Sequence, residues 1–164
     1  MISIREATPA DYDAIWEIFE IVIKTGDTYA FAPDTPKTDL PKLWFAPGMK
    51  TFVGEDDGKV VASYFIKPNQ PALGAHICNC GYIVHSSQRG KGIGKLLCDH
   101  SIGLAKQSGY RGMQFNFVVS TNTGAVELWK KCGFRIIGTI PGGFHHQKLG
   151  YVDAYVMFRE IDQS

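Results

Sequence analysis

Residues 81–97 read GYIVHSSQRGKGIGKLL, and this stretch decides the fold. Tyr82, Ile83 and Val84 are apolar, aromatic or β-branched, the composition of a buried strand. His85 to Gly94 is polar and rich in glycine. From Ile93 the pattern turns helical, with Ile93, Leu96 and Leu97 on one side. A strand, a glycine-rich turn and a helix N-terminus in succession form an anion site. The first N–H groups of a helix have no intrahelical partner. The macrodipole adds about half a positive charge there, worth roughly 0.3–1 kcal/mol for an anion. Gly90, Gly92 and Gly94 carry no Cβ atom, so a phosphate can reach the backbone.

Three phosphate-loop patterns share this layout. A Walker loop needs GxxxxGK[ST], which the chain lacks. A dinucleotide fingerprint needs GxGxxG, and Gly90-x-Gly92-x-Gly94 has the wrong spacing for it. Arg89-Gly90-Lys91-Gly92-Ile93-Gly94 reads RxxGxG. That string resembles the pyrophosphate loop of the GCN5-related N-acetyltransferases, which hold acetyl-CoA. The alternative is a strand-to-helix turn without a ligand.

The chain has 164 residues, the size of one domain with a substantial core, so residues 1–164 read as a single domain. With 17 Lys+Arg against 16 Asp+Glu, no net field draws it to nucleic acid or to a membrane surface. No apolar run approaches the length of a membrane span. The opening MISIREATPAD lacks the basic-then-apolar layout of a signal peptide, and the 4 cysteines read as reduced thiols, so a cytoplasmic location is expected. Cys78-x-Cys80 is not a zinc spacing, and no metal site is expected.

Along the chain, residues 1–7 alternate as a first strand. Thr8-Pro9-Ala10-Asp11 reads as a helix start, and Ile15, Ile18, Phe19, Val22 and Ile23 then recur at helical spacing until Gly26. Residues 26–37 form a loop over the surface or a lid on a site, and a short helix follows over 38–45. Residues 51–55 and 60–67 are strands joined by an Asp57-Gly58 turn. Residues 75–84 form the next strand, with Gly81 expected as a bulge. A helix runs from Gly92 to about Ser108. Residues 113–119 form a strand, with Met113, Phe115 and Phe117 in the core and Asn116 on the opposite face from the phenylalanines. A helix covers 122–132, strands cover 135–139 and 151–159, and residues 141–150 between them read as a loop.

This order is α+β rather than doubly wound. It is also the order of the GCN5-related N-acetyltransferase (GNAT) superfamily. The resemblance implies a mixed, mostly antiparallel central sheet of about seven strands split in a V and flanked by about four helices. Pantetheine would lie in the split beside Tyr82, Ile83 and Val84, pairing with exposed backbone as an added strand does. The pyrophosphate would rest on Arg89, Gly90, Lys91, Gly92, Ile93, Gly94 and Lys95. A second block, NTGAVELWKKCGF (122–134), is similar to the superfamily pattern N-x-x-A-x-x-L-Y-x-x-x-G-F. Asn122, Ala125, Leu128, Gly133 and Phe134 agree with it. Asn122 and Ala125 would then sit on the CoA arm, beside Trp129. That tryptophan replaces the tyrosine that usually reprotonates the departing thiolate. Indole N–H donates a hydrogen bond but does not give up a proton, so Trp129 is read as a wall of the CoA groove.

A closer likeness joins YFIKPN (64–69), HICNCGYIV (76–84), QRGKGIG (88–94) and FNFVVSTN (115–122) to the fungal L-azetidine-2-carboxylate N-acetyltransferases, which act on proline-like imino acids. TGDTYAF (25–31) resembles a substrate-side loop of that group. Asn69, Asn79 and Asn116 match its asparagines, the last two at the substrate and thioester.

In such a reaction a neutral amine attacks the thioester and charge develops on the carbonyl oxygen. Removing a donor aimed at that oxygen costs about 2.7–4 kcal/mol in a well-studied case. Asn79 and Asn116 are the catalytic candidates, either polarising the carbonyl or holding a water, with satisfied polar groups at a sheet opening as the alternative. No Asp or Glu lies on the 75–84 strand, which leaves His76, His85 and Tyr82 as titratable groups. Capping of the turn is the alternative role for His85. His145 and His146 read as a solvated loop pair, and Cys132 as a structural thiol. The reading is an N-acetyltransferase moving acetyl from the co-substrate acetyl-CoA directly to the amine of a small molecule, such as an amino acid or proline-like imino acid. A protein or peptide N-acetyltransferase and a catalytically weak CoA-binding module are the alternatives. No nucleic acid or membrane partner is expected, and a homodimer is left open.

Overall fold

The computed structural model describes residues 1–163. Its strands are β1 (Ile2–Glu6), β2 (Lys50–Asp56), β3 (Lys59–Pro68), β4 (Ile77–Val84), β5 (Gly112–Val119), β6 (Arg135–His146) and β7 (Gly150–Glu160). Its α-helices are α1 (Tyr12–Lys24), α2 (Leu40–Trp44), α3 (Ile93–Gln107) and α4 (Thr123–Lys131). The strands form a 7-stranded sheet in the order β1-β2-β3-β4-β5-β7-β6. Among its pairings only β4–β5 is parallel. The mixed, mostly antiparallel α+β architecture is the one the sequence implies.

Local chemistry explains most boundaries. At the start of the first helical segment the Asp11 carboxylate accepts from the Thr8 backbone N–H at 2.7 Å and from both Arg5 terminal nitrogens at 2.8 Å. The Arg5 guanidinium, first among the causes, holds this carboxyl below its ordinary range. Asp57 and Gly58 both take positive φ, 49° and 77°, the geometry of a type I′ hairpin turn.

Period-two alternation sends each strand's side chains to opposite faces. On one face Tyr64, Ile66, Cys78 and Cys80 join Ile93, Leu97 and Val126 of α3 and α4. On the other, Phe65 and Ile83 join Ile15, Phe19, Leu40 and Trp44 of α1 and α2. The sheet is therefore the middle layer between two apolar cores. β4 and β5 pair only at Ile77↔Gly112 and Cys78↔Met113, and beyond those residues the sheet is open between them.

Four expectations are corrected. Gly81 is not a bulge: the β3–β4 register is unbroken from Ala62↔Val84 to Pro68↔Cys78. Glycine is needed there for close approach instead, because a Cβ would lie 2.6 Å from Phe65 Cε1. The irregularity falls in β5, between Phe115 and Val118 against β7. It breaks the alternation expected there, so Phe117 leaves the core and lies against Phe144 at 6.1 Å, while Met113 and Phe115 stay buried. Residues 141–150 are not a loop, since β6 continues to His146 with an irregularity between Ile140 and Phe144. As an edge strand paired only with β7, it tolerates Pro141 and the Gly142-Gly143 kink. His145 and His146 are thus strand residues; His145 stacks on Tyr151 at 4.6 Å. His76 precedes β4 rather than lying in it.

Candidate active site

Two structures meet at the open part of the sheet: the turn before α3 and a cleft between β4 and β5. In the turn, Gly90 and Gly92 have φ of +78° and +76°, and a Cβ built on either meets nothing within 4 Å. This is backbone that a side chain would strain, facing open space, as a phosphate cradle requires. Gly92 is the residue before α3's first turn, and the exposed cations Arg89, Lys91 and Lys95 surround it. Lys91 is tied to Gln88 at 3.1 Å and Lys95 to Asp99 at 2.6 Å. His85 caps the turn by accepting from the Ser87 N–H at 3.1 Å, which gives it a structural task. Gly94 is packed instead: its Cβ would come 3.0 Å from Leu128 on α4. Ile93 anchors the helix in the core, 2% exposed. The groups present fit a pyrophosphate.

The cleft is a cavity of about 400 Å³. Asn79, Tyr82, Asn116, Asn122, Ala125 and Trp129 all border it. Of the expected cofactor residues, Val84 and the turn residues 89–95 lie outside this lining, and Ile83 does not border it either. Its side chain is 2% exposed in the second core, and its place opposite Ser63 turns its backbone toward β3. By the same alternation Cys80, Tyr82 and Val84 direct their backbone groups to the open edge. The Asn122 side chain accepts from the Ala125 N–H at 3.4 Å, a long bond at the start of α4. Trp129 is a wall, its ring 5.0 Å from Tyr82 and 4.8 Å from Phe115.

Both catalytic candidates border the cavity and both are held. Asn79 donates its Nδ2 to the Gln114 carbonyl at 2.9 Å, across the split. Asn116 donates to Asn69 Oδ1 at 2.7 Å and accepts from Gln114 Nε2 at 3.0 Å. The Tyr82 phenol is turned away to Ser101 Oγ, 2.6 Å away, and its burial raises it well above the ordinary tyrosine range. It is no base. The Cys80 thiol is likewise raised by burial. Cys132 is buried in the first core, as a structural thiol is. Among the described residues no cluster of His, Cys, Asp and Glu could hold a metal ion.

Tyr29 escaped the sequence reading. It lies in the 25–36 loop, which lines the cleft through Thr28, Tyr29, Ala30 and Phe31 as a lid would. Its hydroxyl accepts from the Tyr82 backbone N–H at 2.9 Å and donates to the Tyr82 carbonyl at 2.5 Å. Burial pushes this phenol far above its ordinary value, so it stays protonated. The aromatic pair in TYAF was the available signal, but nothing local names its partner. Gln114 was missed for the same reason. Thr28 Oγ1 is buried without a hydrogen-bond partner.

Comparison with known proteins adds the family. Residues 12–134 match the model of the acetyltransferase (GNAT) family. N-acetyltransferase aca1 of Schizosaccharomyces pombe is 36% identical over 112 residues, 68% of this chain, and the chain spans about half (54%) of that relative's length. The L-amino acid N-acetyltransferase AaaT of Escherichia coli K12 is 30% identical over 160 residues, 96% of this chain and 97% of that protein. The structure of a GCN5-related N-acetyltransferase from Kribbella flavida superposes with a TM-score of 0.92 at 41% identity, covering 97% of each chain. With the cradle before α3 and the split beside it both in place, the chain belongs to the acetyltransferase (GNAT) family.

Proposed function

We propose that this protein moves the acetyl group of acetyl-CoA directly onto the amine of a small molecule, an amino acid or proline-like imino acid. The observation that carries the reading is the continuity of the anion cradle at Gly90–Gly92 with the open β4 edge. A cofactor with a pyrophosphate at one end and an amide-bearing arm at the other is complementary to both. The arm would pair with the backbone of Tyr82 and Val84 as an added strand.

Several features favour a small, carboxylate-bearing acceptor. The cleft mixes apolar walls, among them Phe31, Met49 and Phe65, with the cations Lys42 and Lys67. The full-length similarity to a protein named as an L-amino acid N-acetyltransferase supports the same class. In this reading Asn79 and Asn116 supply the uncharged donors that meet the developing oxyanion. Asn79 uses one N–H on Gln114 and has the other to offer.

Trp129 favours one rival, a CoA-binding module with little chemistry. Thiol release from acetyl-CoA separates the two. Purified protein is assayed with a panel of amino acids, proline analogues, simple amines and peptides. Release that depends on a free amino or imino acid is expected. Binding of acetyl-CoA without release on any amine would establish the module, and release with peptides alone would replace the acceptor class.

A further inference from the structure

An alkyl thiolate is a modest leaving group, since its thiol has a pKa of about 8.5. Its departure is assisted by a positioned proton donor, an effect typically worth about 10²–10⁴-fold. Trp129 cannot be that donor. The side chains bordering the cleft that carry a hydroxyl, thiol or ammonium proton are Thr28, Tyr29, Lys42, Lys67, Cys80 and Tyr82. Tyr82 spends its hydroxyl on Ser101, on the α3 side. Cys80 points into the core, its sulfur 3.9 Å from Met113 Sδ. Thr28 carries an alcohol, intrinsically a weaker acid than the Tyr29 phenol even after burial raises the latter. Lys67 leans over the Phe65 ring, its Nζ 5.8 Å from the centroid, and Lys42 is exposed on α2. Both suit a carboxylate better than a sulfur.

Tyr29 alone places a phenol on the open β4 edge. Its oxygen occupies the N–H and the C=O of Tyr82 together. These are the groups an acetylated arm must take when it pairs with β4, so the arm and the phenol compete for one seat. An arm that wins the seat displaces the hydroxyl by about one hydrogen-bond length, and the hydroxyl then lies beside it. The ring is steadied by Phe31, stacked at 5.6 Å, which in turn packs on Phe19 of the core. Tyr29 and Phe31 also border a second cavity of about 270 Å³, together with Phe117 and Phe144. Tyr29 therefore lines both the cleft and a second space large enough for a small acceptor.

We propose that Tyr29 is the acid of the reaction, giving its phenolic proton to the departing coenzyme A sulfur. The assignment rests on the acetyl-transfer reading above. As the amine nitrogen forms its bond to the acetyl carbon, the C–S bond breaks and its electron pair stays on sulfur. Sulfur takes the Tyr29 proton. The phenolate recovers a proton from the acylated nitrogen through water. The net change is amide plus free thiol, with no proton gained or lost.

Two variants and two donors test this. Tyr29→Phe keeps the stacked ring, and Tyr29→Gln can still bond to the Tyr82 backbone but has no proton to give. Both are assayed with acetyl-CoA and with its selenium analogue, whose selenol is the stronger acid and leaves without help. The expected result is a kcat lowered about a hundredfold with acetyl-CoA in both variants. That defect should shrink at least tenfold with the selenoester. Acetyl-CoA binding, read as a melting shift, should be kept or strengthened because the competitor for the Tyr82 seat is gone. A defect equal on both donors would mean that Tyr29 only positions, and a kcat within threefold of the parent would mean that it does neither; either overturns the assignment. Should Tyr29→Phe not fold, Tyr29→Gln decides by the same ratio. A parent protein that releases no thiol with any amine overturns the acetyl-transfer reading itself, a result recognisable before either variant is made.

Discussion

Asn79 donates to the Gln114 carbonyl at 2.9 Å, one residue beyond the last ladder pair between β4 and β5, Cys78↔Met113. The side chain thus bolts the two strands together where their backbones part. One N–H spans the opening to Gln114, and under the proposed function the other would meet the developing oxyanion. Replacing Asn79 by Ala should lower kcat about ten- to a thousandfold, or roughly 1.4–4 kcal/mol. It should also lower stability by about 1 kcal/mol through the lost bolt. Asn116→Ala leaves that bolt intact and loses only the exposed bonds to Asn69 and Gln114, so the same kinetic loss should come with a smaller loss of stability. Affinity for acetyl-CoA should stay nearly unchanged in both. Asn→Asp should be worse than Ala at whichever position meets the oxyanion, since a carboxylate repels the charge that forms. Steady-state kinetics with the best acceptor, beside urea denaturation, check these outcomes; normal turnover in both alanine variants would make the asparagines structural.

The cradle is tested by ligand-linked stability. At a hundred times its dissociation constant acetyl-CoA should stabilise the fold by about 2.7 kcal/mol. For a chain of this size that is roughly 5–10 °C in Tm. Gly92→Glu puts a side chain and a negative charge into the phosphate seat at φ +76° and should abolish the shift. A shift of full size in that variant would move the pyrophosphate elsewhere.

Trp129 packs on Tyr82 and Phe115 as part of a continuous aromatic wall. Trp129→Phe should therefore keep most of kcat and raise KM for acetyl-CoA, the signature of lost uniform binding. A hundredfold drop in kcat at constant KM would instead put the indole in the transition state.

Gly81 answers to packing alone. Phe65 is pinned edge-on against Trp44 at 4.8 Å, so it cannot retreat from a new Cβ at 2.6 Å. Gly81→Ala should cost about 1–3 kcal/mol. Chemical denaturation measures it, and a neutral result would show that the ring yields.

Acid sensitivity has a defined contributor in Asp11. Its folded pKa is depressed, chiefly by Arg5, so the stability it adds is present above the unfolded value of about 3.9 and is lost as pH falls below it. Between about pH 4 and pH 2 the parent should lose more Tm than Asp11→Asn does. Equal losses would remove this pair from the acid response.

What the sequence determined by itself is local. The cradle needs only a strand, glycines and a helix start in succession, so Arg89–Gly94 could be read without the rest of the chain. The Asp57-Gly58 hairpin, the Thr8–Asp11 capping turn that leads into α1 and the Asn122 opening of α4 have the same character, because their hydrogen bonds close within a few residues. Tertiary structure decided whatever depends on a distant partner. Gly81 reads as a bulge until Phe65 is seen beside it, and Pro141 and its glycines read as a loop until β7 pairs with them. Asn79 meets Gln114 across 35 residues, and Tyr29 meets Tyr82 across 53. No periodicity or propensity encodes such contacts. They exist because two cores clamp the sheet from opposite faces and hold β4 and β5 apart, and that closure is a property of the packed chain rather than of any segment in it.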